Sequence, residues 1–198
     1  MEKQHQPILI VIAGPNGSGK TTITSKILRH QWLEDAVYVN PDNVAQDCFG
    51  DWNNGEAVLK AAQYCEEWRE RCLAERQSLI FETVMSTAAK VDFIRRAKSS
   101  GYFVRLFFVG TSSPVINASR IANRVMKGGH AVPVEKIISR YTKSILNCRL
   151  VSLMVDRTYV YDNSVDDMEA QLLFRMTNGR MLKKYTEKIP DWAATIMG

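Results

Sequence analysis

The stretch 8-ILIVIAGPNGSGKTT-22 decides the fold class of this chain. Its first six residues form an uninterrupted apolar run with several β-branched side chains, which is typical of a strand buried on both faces of a parallel sheet. The residues from Gly14 to Thr21 fit the pattern G-x-x-x-x-G-K-[ST] of a phosphate-binding loop. From Thr21 onward the sequence becomes helical, so we predict that the loop joins a buried strand to the start of a helix.

Each residue type in this loop has a reason in phosphate chemistry. Glycines allow backbone N–H groups to turn inward around an anion, and the following helix offers its positive end to the same anion. Lys20 can reach the β- and γ-phosphates, and the Thr21 hydroxyl can ligate Mg²⁺. We expect ATP and Mg²⁺ as ligands, because the sequence contains no guanine-reading Asn/Thr-Lys-x-Asp motif. The predicted nucleotide site comprises Gly14, Pro15, Asn16, Gly17, Ser18, Gly19, Lys20, Thr21 and Thr22.

Strand and helix patterns alternate along the rest of the chain. Further strands are predicted over residues 36–40, 78–82, 102–109 and 157–162, and helices over 55–76, 86–99, 114–127 and 133–149. A C-terminal hairpin is predicted around Asn178-Gly179. The pattern indicates an α/β three-layer P-loop NTPase fold with a mainly parallel five-stranded sheet, a helical lid at about 114–149 and the hairpin. No linker is evident, so we expect one domain over residues 1–198.

Composition and charge restrict the class of protein. The 198 residues are 45% hydrophobic and carry a net charge of +5, as expected of a folded domain with a core. Residues 91–150 hold eleven Lys or Arg and only two acidic residues. This basic segment is either a solvated helical surface or a lid over a polyanionic ligand. Nucleic acid is a less favoured partner, because no recognised nucleic-acid-binding motif accompanies the charge.

The cysteines and the N-terminal segment predict a cytoplasmic location. The four cysteines contain no CxxC pair and are interpreted as reduced thiols; they are Cys48, Cys65, Cys72 and Cys148. The N-terminal apolar run is too short for a signal peptide or a membrane span. We therefore expect no membrane association.

Candidate acceptor-binding residues follow the predicted strands, since ligands of such sheets bind beyond the carboxyl ends of the strands. Asp42 is a candidate general base for an acceptor hydroxyl, with Asp47 as the second choice. A turn or helix-cap role is the alternative for Asp42. Glu82 and Thr83 end the third strand and suit hydrogen bonding to a polyhydroxyl or amide acceptor, unless they are merely exposed strand-end groups.

Cationic residues lie in the predicted lid. Arg120 and Arg124 are one helical turn apart, and Arg140 lies on the next helix. Phosphoryl transfer depends on cations around the moving charge, so these arginines are candidates for substrate binding and catalysis. Solvation of individual arginines is the alternative. His130, in the loop between the two helices, is a candidate substrate contact or a capping residue, and no metal-ligand spacing surrounds it.

Several motifs together resemble one known family. In order along residues 8–164 they are AGPNGSGKTT, VNPD, FETVMS, RVMKGGHAVP, ISRYTKS and YVYDNS. They resemble the zeta-toxin-like P-loop kinases. The resemblance implies an ATP-dependent kinase that phosphorylates the 3′-hydroxyl of the sugar in UDP-N-acetylglucosamine, or acts on a related nucleotide-sugar. It also implies a toxin that a small helical antitoxin neutralises.

The resemblance also implies roles for individual residues. Lys20 would hold the ATP phosphates and Thr21 the Mg²⁺ ion, and Asp42 would be the general base. Glu82 with Thr83 would bind the substrate.

Two arginines and one asparagine complete the site that the resemblance implies. Arg124 and Arg140 would stabilise the transferred phosphate, and Asn163 would lie near the adenine. Two other functions remain open from the residues alone. One is an ATPase that acts on a protein or nucleic-acid partner, and the other is a nucleotide-binding module without catalysis.

Overall fold

The computed structural model describes residues 6–28, 36–40, 44, 55–129 and 131–197. The strands are β1 (Ile8–Ala13), β2 (Val37–Val39), β3 (Leu79–Thr83), β4 (Phe103–Gly110), β5 (Arg157–Asp162), β6 (Gln171–Thr177) and β7 (Arg180–Lys184). The helices are α1 (Lys20–Ile27), α2 (Gly55–Ala74), α3 (Ala88–Ser99), α4 (Pro114–Met126), α5 (Val134–Ser152) and α6 (Asp191–Met197). None of the helices in these ranges is long and apolar enough to cross a membrane.

All seven strands form one sheet in the order β2-β3-β1-β4-β5-β6-β7. Strands β1 to β5 run parallel to one another, as predicted. The hairpin of β6 and β7 pairs antiparallel with β5. The sheet is therefore seven-stranded rather than five-stranded, because the predicted hairpin continues the sheet instead of standing beside it.

The central strand β1 is buried on both faces, as its apolar run predicted. Leu9 and Val11 belong to the larger core cluster, which helices α3, α5 and α6 help to form. Ile10 and Ile12 point to the opposite face, where residues of α1 cover them. All four side chains are fully buried. Because β1 is buried on both faces, the position of Gly14, which follows it, is fixed. The loop from Gly14 to α1 therefore starts from a fixed point at the end of β1.

The C-terminal helix α6 completes the larger core. Trp192 is 8% exposed and its ring centroid lies 6.1 Å from that of Phe108 in β4. A Cβ atom on Gly110, at the end of β4, would lie 2.4 Å from the Trp192 ring. The segment after the hairpin therefore docks against the sheet just below its carboxyl edge.

Candidate functional site

The loop between β1 and α1 lies at the carboxyl edge of the parallel strands, as the fold rule predicts. Gly17 and Gly19 have φ angles of 77° and 90°, which favour glycine. A Cβ on Gly17 would lie 2.7 Å from the carbonyl oxygen of Asn117, and one on Gly19 would lie 2.2 Å from Nδ2 of Asn163. The glycines therefore allow both the loop's conformation and the close approach of two distant segments.

Lys20 and the first turn of α1 supply the positive end of the site. The Lys20 ammonium group donates hydrogen bonds to the carbonyl oxygens of Gly14 and Pro15, at 2.9 and 3.0 Å. Thr21 and Thr22 follow in the exposed first turn, which contains no acidic residue. An anion at this helix terminus would meet the lysine, the helix dipole and two hydroxyl groups.

Asn163 and Arg120 border the loop on its β5 side. Asn163 donates from Nδ2 to the carbonyl oxygen of Ser18 at 2.8 Å. Arg120 donates to the Asn163 carbonyl oxygen at 2.8 Å and forms an ion pair of 2.6 Å with Asp166. A cavity of about 270 Å³ opens here, lined by Gly17, Gly19, Thr22, Arg120, Asn163, Val165, Asp166, Asp167, Met168 and Ala170. The structure thus places Arg120 against the segment after β5, and its predicted contact with the acceptor stays a prediction.

Glu82 is held firmly at the end of β3. One of its carboxylate oxygens accepts hydrogen bonds from the hydroxyl groups of Thr24 and Tyr38, each at 2.8 Å. The neighbouring Thr83 accepts the backbone N–H of Gly14 at 3.2 Å through its carbonyl oxygen. The predicted pair therefore borders the phosphate-binding loop, with Glu82 oriented by α1 and β2.

Asp42, Asp47 and His130 lie outside the described residues, so their roles stay predictions. The strand β2 ends at Val39, three residues before Asp42, and Val39 pairs with Phe81 of β3. The chain therefore leaves β2 at the same edge of the sheet as Glu82.

Arg140 reaches the loop from α5. Its Nη1 atom lies 3.5 Å from Oδ1 of Asn16. Arg124 is exposed near the end of α4, and its carbonyl oxygen accepts the N–H of Gly129 at 2.9 Å in the turn that leaves the helix. The structure brings Arg140 to the phosphate-binding loop directly, whereas a contact between Arg124 and phosphate stays a prediction.

Helix α5 is fixed to the carboxyl edge of the sheet by two hydroxyl groups. Ser144 donates to the carbonyl oxygen of Val84 at 2.6 Å, and Tyr141 donates to that of Thr111 at 2.6 Å. Burial raises the pKa of Tyr141 to about 12, so the phenol keeps its proton and remains a donor. The predicted lid helix is therefore attached to the ends of β3 and β4.

Asn117 is a site residue that the sequence analysis missed. Its side chain is fully buried and donates from Nδ2 to the carbonyl oxygen of Asn16 at 2.6 Å. Its Oδ1 atom accepts the Thr111 hydroxyl. Asn117 precedes Ile121 by one helical turn, and these two are the buried residues of α4. An amide on the apolar face of a helix was the sequence signal that could have identified it.

The assembled groups can bind a polyphosphate and act on its terminal phosphate. An anion bound at the loop would face Lys20 and the start of α1, and Arg140 would add a second cation from the predicted lid. Glu82 supplies an oriented carboxylate at the same edge. Positioned cations and a carboxylate are the groups that phosphoryl transfer uses.

Comparison with known proteins relates the sequence to a family and to a relative. The sequence model of the family described as Zeta toxin matches residues 1–172. An uncharacterized protein of Haemophilus influenzae is 27% identical over 134 residues, which are 67% of this chain and 91% of the relative.

Solved structures that share the fold include those of AvrRxo1 and PezAT. The structure of AvrRxo1-ORF1:-ORF2 with ATP gives a TM-score of 0.66 at 16% identity and covers 90% of this chain. This chain spans 61% of the length of that one. A structure of the PezAT chromosomal toxin-antitoxin system of Streptococcus pneumoniae gives a TM-score of 0.58 at 17% identity, covering 85% of this chain and 72% of that one. Because the family's sequence model spans residues 1–172, this chain belongs to the zeta toxin family.

Proposed function

We propose that this protein is an ATP-dependent kinase that phosphorylates a sugar hydroxyl of UDP-N-acetylglucosamine or a related nucleotide-sugar. The observation that carries the proposal is that Lys20 and Arg140 both contact residues of one phosphate-binding loop, and that the oriented carboxylate of Glu82 lies beside this loop. Membership of the zeta toxin family supports the same reaction class.

The nucleotide would bind along the loop. Its phosphates would contact Lys20 and the start of α1, and its base would enter the cavity beside Asn163. The AvrRxo1 structure with ATP supports this choice of nucleotide. Thr21 offers an exposed hydroxyl at the loop, and oxygen donors of this kind suit Mg²⁺. When bound, Mg²⁺ would neutralise charge on the β- and γ-phosphates.

The acceptor would bind at the ends of β2 and β3. Asp42 would accept the proton of the sugar hydroxyl as that oxygen attacks the γ-phosphorus, and Glu82 with Thr83 would orient the sugar. Arg124 and Arg140 would stabilise the charge that moves to the leaving group. In the same proposal, His130 would contact the acceptor. Arg120 lines the cavity proposed for the base, so its contact with the acceptor stays a prediction from the sequence. The identity of the acceptor rests on the family resemblance.

A biological role as the toxin of a toxin–antitoxin pair follows from the same proposal. The PezAT structure is that of a chromosomal toxin-antitoxin system, and the AvrRxo1 structure contains ORF1 with ORF2. We propose a cytoplasmic protein that a small helical antitoxin neutralises by direct binding. Expression alone would then arrest growth, and Lys20→Ala would relieve the arrest.

The proposal is tested with pure protein, ATP, Mg²⁺ and UDP-N-acetylglucosamine, using mass spectrometry to detect one added phosphoryl group. We expect Asp42→Asn to bind ATP like the wild type but to lose transfer by two to four orders of magnitude, about the contribution of a general base. Lys20→Ala should lose ATP binding as well. Asp42→Asn with wild-type transfer would remove Asp42 as the base.

The negative outcomes of this assay separate the other functions. ATP hydrolysis without acceptor, stimulated by a protein or nucleic acid, would support an ATPase instead. Tight nucleotide binding without turnover would support a binding module. If UDP-N-acetylglucosamine is unchanged but a compound in a metabolite extract gains a phosphoryl group, the protein is a kinase and its acceptor is another molecule.

A further inference from the structure

The carbonyl groups of the phosphate-binding loop are held by side chains from several elements. The Lys20 ammonium group donates to the carbonyl oxygens of Gly14 and Pro15 at 2.9 and 3.0 Å. Asn163 donates from Nδ2 to the carbonyl oxygen of Ser18 at 2.8 Å. The carbonyl oxygen of Asn16, between these, accepts Nδ2 of Asn117 at 2.6 Å. Asn117 therefore completes a set of donors that surrounds the loop.

Holding a carbonyl group also orients the next N–H group. The peptide unit is planar and trans, so its C=O and N–H bonds point in opposite directions. The hydrogen bond from Asn117 to the Asn16 carbonyl therefore also fixes the direction of the Gly17 N–H bond. In the same way, the hydrogen bond from Asn163 to the Ser18 carbonyl fixes the direction of the Gly19 N–H bond. Among the described residues, neither glycine N–H donates to a protein acceptor. Such N–H groups are those that a phosphate contacts in a loop of this kind.

The geometry of Asn117 leaves its amide little freedom. The side chain is fully buried, and its Oδ1 atom accepts the hydroxyl of Thr111, whose carbonyl oxygen in turn accepts the Tyr141 hydroxyl at 2.6 Å. The Asn16 carbonyl can only accept, so the NH₂ group of Asn117 must face it. Turning the amide away would leave buried polar groups without partners, which is costly.

Helices α4 and α5, which form the predicted lid, therefore both contact Asn16. Asn117 of α4 holds its carbonyl oxygen, and Arg140 of α5 lies 3.5 Å from its side-chain oxygen. We propose that Asn117 is a positioning residue, which keeps the Asn16–Gly17 peptide in its phosphate-binding orientation and links the loop to the lid. The inference rests on the nucleotide-binding part of the proposed function.

The test compares Asn117→Leu with wild type and with a matched control, Tyr102→Phe. Leucine removes both hydrogen bonds of Asn117 without adding charge. Tyr102 is also buried, and its single hydroxyl proton lies within hydrogen-bonding reach of the carbonyl oxygens of Cys72 and Gln77, away from the loop. Affinity for Mg·ADP is measured by calorimetry at a temperature where thermal melts show each variant fully folded. Asn117→Ser, which is too short to reach Asn16, replaces the leucine variant if that one does not fold.

We expect the Asn117 variant to lose about tenfold or more in Mg·ADP affinity, because the Gly17 N–H is no longer oriented. Tyr102→Phe should lower the melting temperature comparably and keep wild-type affinity. Wild-type affinity in the Asn117 variant, or an equal loss in Tyr102→Phe, would overturn the inference and leave the proposed function standing. No Mg·ADP binding by the wild type would overturn the proposed function, and the inference with it.

Discussion

Replacing Gly19 by alanine tests whether the close approach of Asn163 shapes the loop. Gly19 is the N-cap residue of α1, with φ at 90°. A Cβ atom there would lie 2.2 Å from Nδ2 of Asn163, the atom that donates to the Ser18 carbonyl oxygen. Since carbon and nitrogen cannot approach so closely, alanine must displace the amide of Asn163 and break that hydrogen bond.

The free-energy cost has two parts, and a second glycine isolates the first. A left-handed backbone costs a non-glycine residue about 1–2 kcal/mol. Gly101 has φ at 85°, and a Cβ there would meet only the end of Arg76 at 3.7 Å. Gly101→Ala therefore carries the backbone cost alone. Gly19→Ala adds the lost hydrogen bond of about 1 kcal/mol, for a total of about 2–3 kcal/mol.

Thermal melts and calorimetry with Mg·ATP provide the measurement. For a chain of this length each kcal/mol lowers the melting temperature by about 2–4 °C, so we expect losses of about 2–8 °C for Gly101→Ala and about 4–12 °C for Gly19→Ala. Only Gly19→Ala should lose nucleotide affinity, by about tenfold or more. Equal melting temperatures and wild-type affinity in both variants would refute the reasoning, because Asn163 would then be irrelevant to the shape of the loop.

Two further predictions concern stability. Trp192→Ala should destabilise the protein by about 3–5 kcal/mol in urea titrations, since it removes a buried ring packed on Phe108 and Gly110; a loss below about 1 kcal/mol would show that α6 does not dock on the sheet. Because the folded state raises the pKa of Tyr141 from 10.0 to about 12, the unfolded chain releases this proton first, and wild-type stability should fall between pH 10 and 12. The free energy of unfolding of Tyr141→Phe should fall less steeply over that pH range. Parallel pH dependences of unfolding free energy in the variant and the wild type would contradict the raised pKa of Tyr141.

The elements of the fold could largely be predicted from local patterns. The prediction of 157–162 matches β5, and Asn178-Gly179 forms the turn between β6 and β7. Such patterns report on burial and turn geometry, which neighbouring residues set. They do not report which strand edge the hairpin meets, so its pairing with β5 required the tertiary structure.

In the candidate site, too, local features could be predicted from the sequence, whereas contacts between distant residues could not. The phosphate-binding loop was evident from the sequence, because its glycines, lysine and threonine must be contiguous to surround one phosphate. The contacts that hold the loop come from far along the chain: Asn117 lies 101 residues from Asn16, and Asn163 lies 145 residues from Ser18. Only the packing of α4 and of the segment after β5 against the loop decides these partners, since a hydrogen bond between distant residues leaves no periodic trace in the sequence.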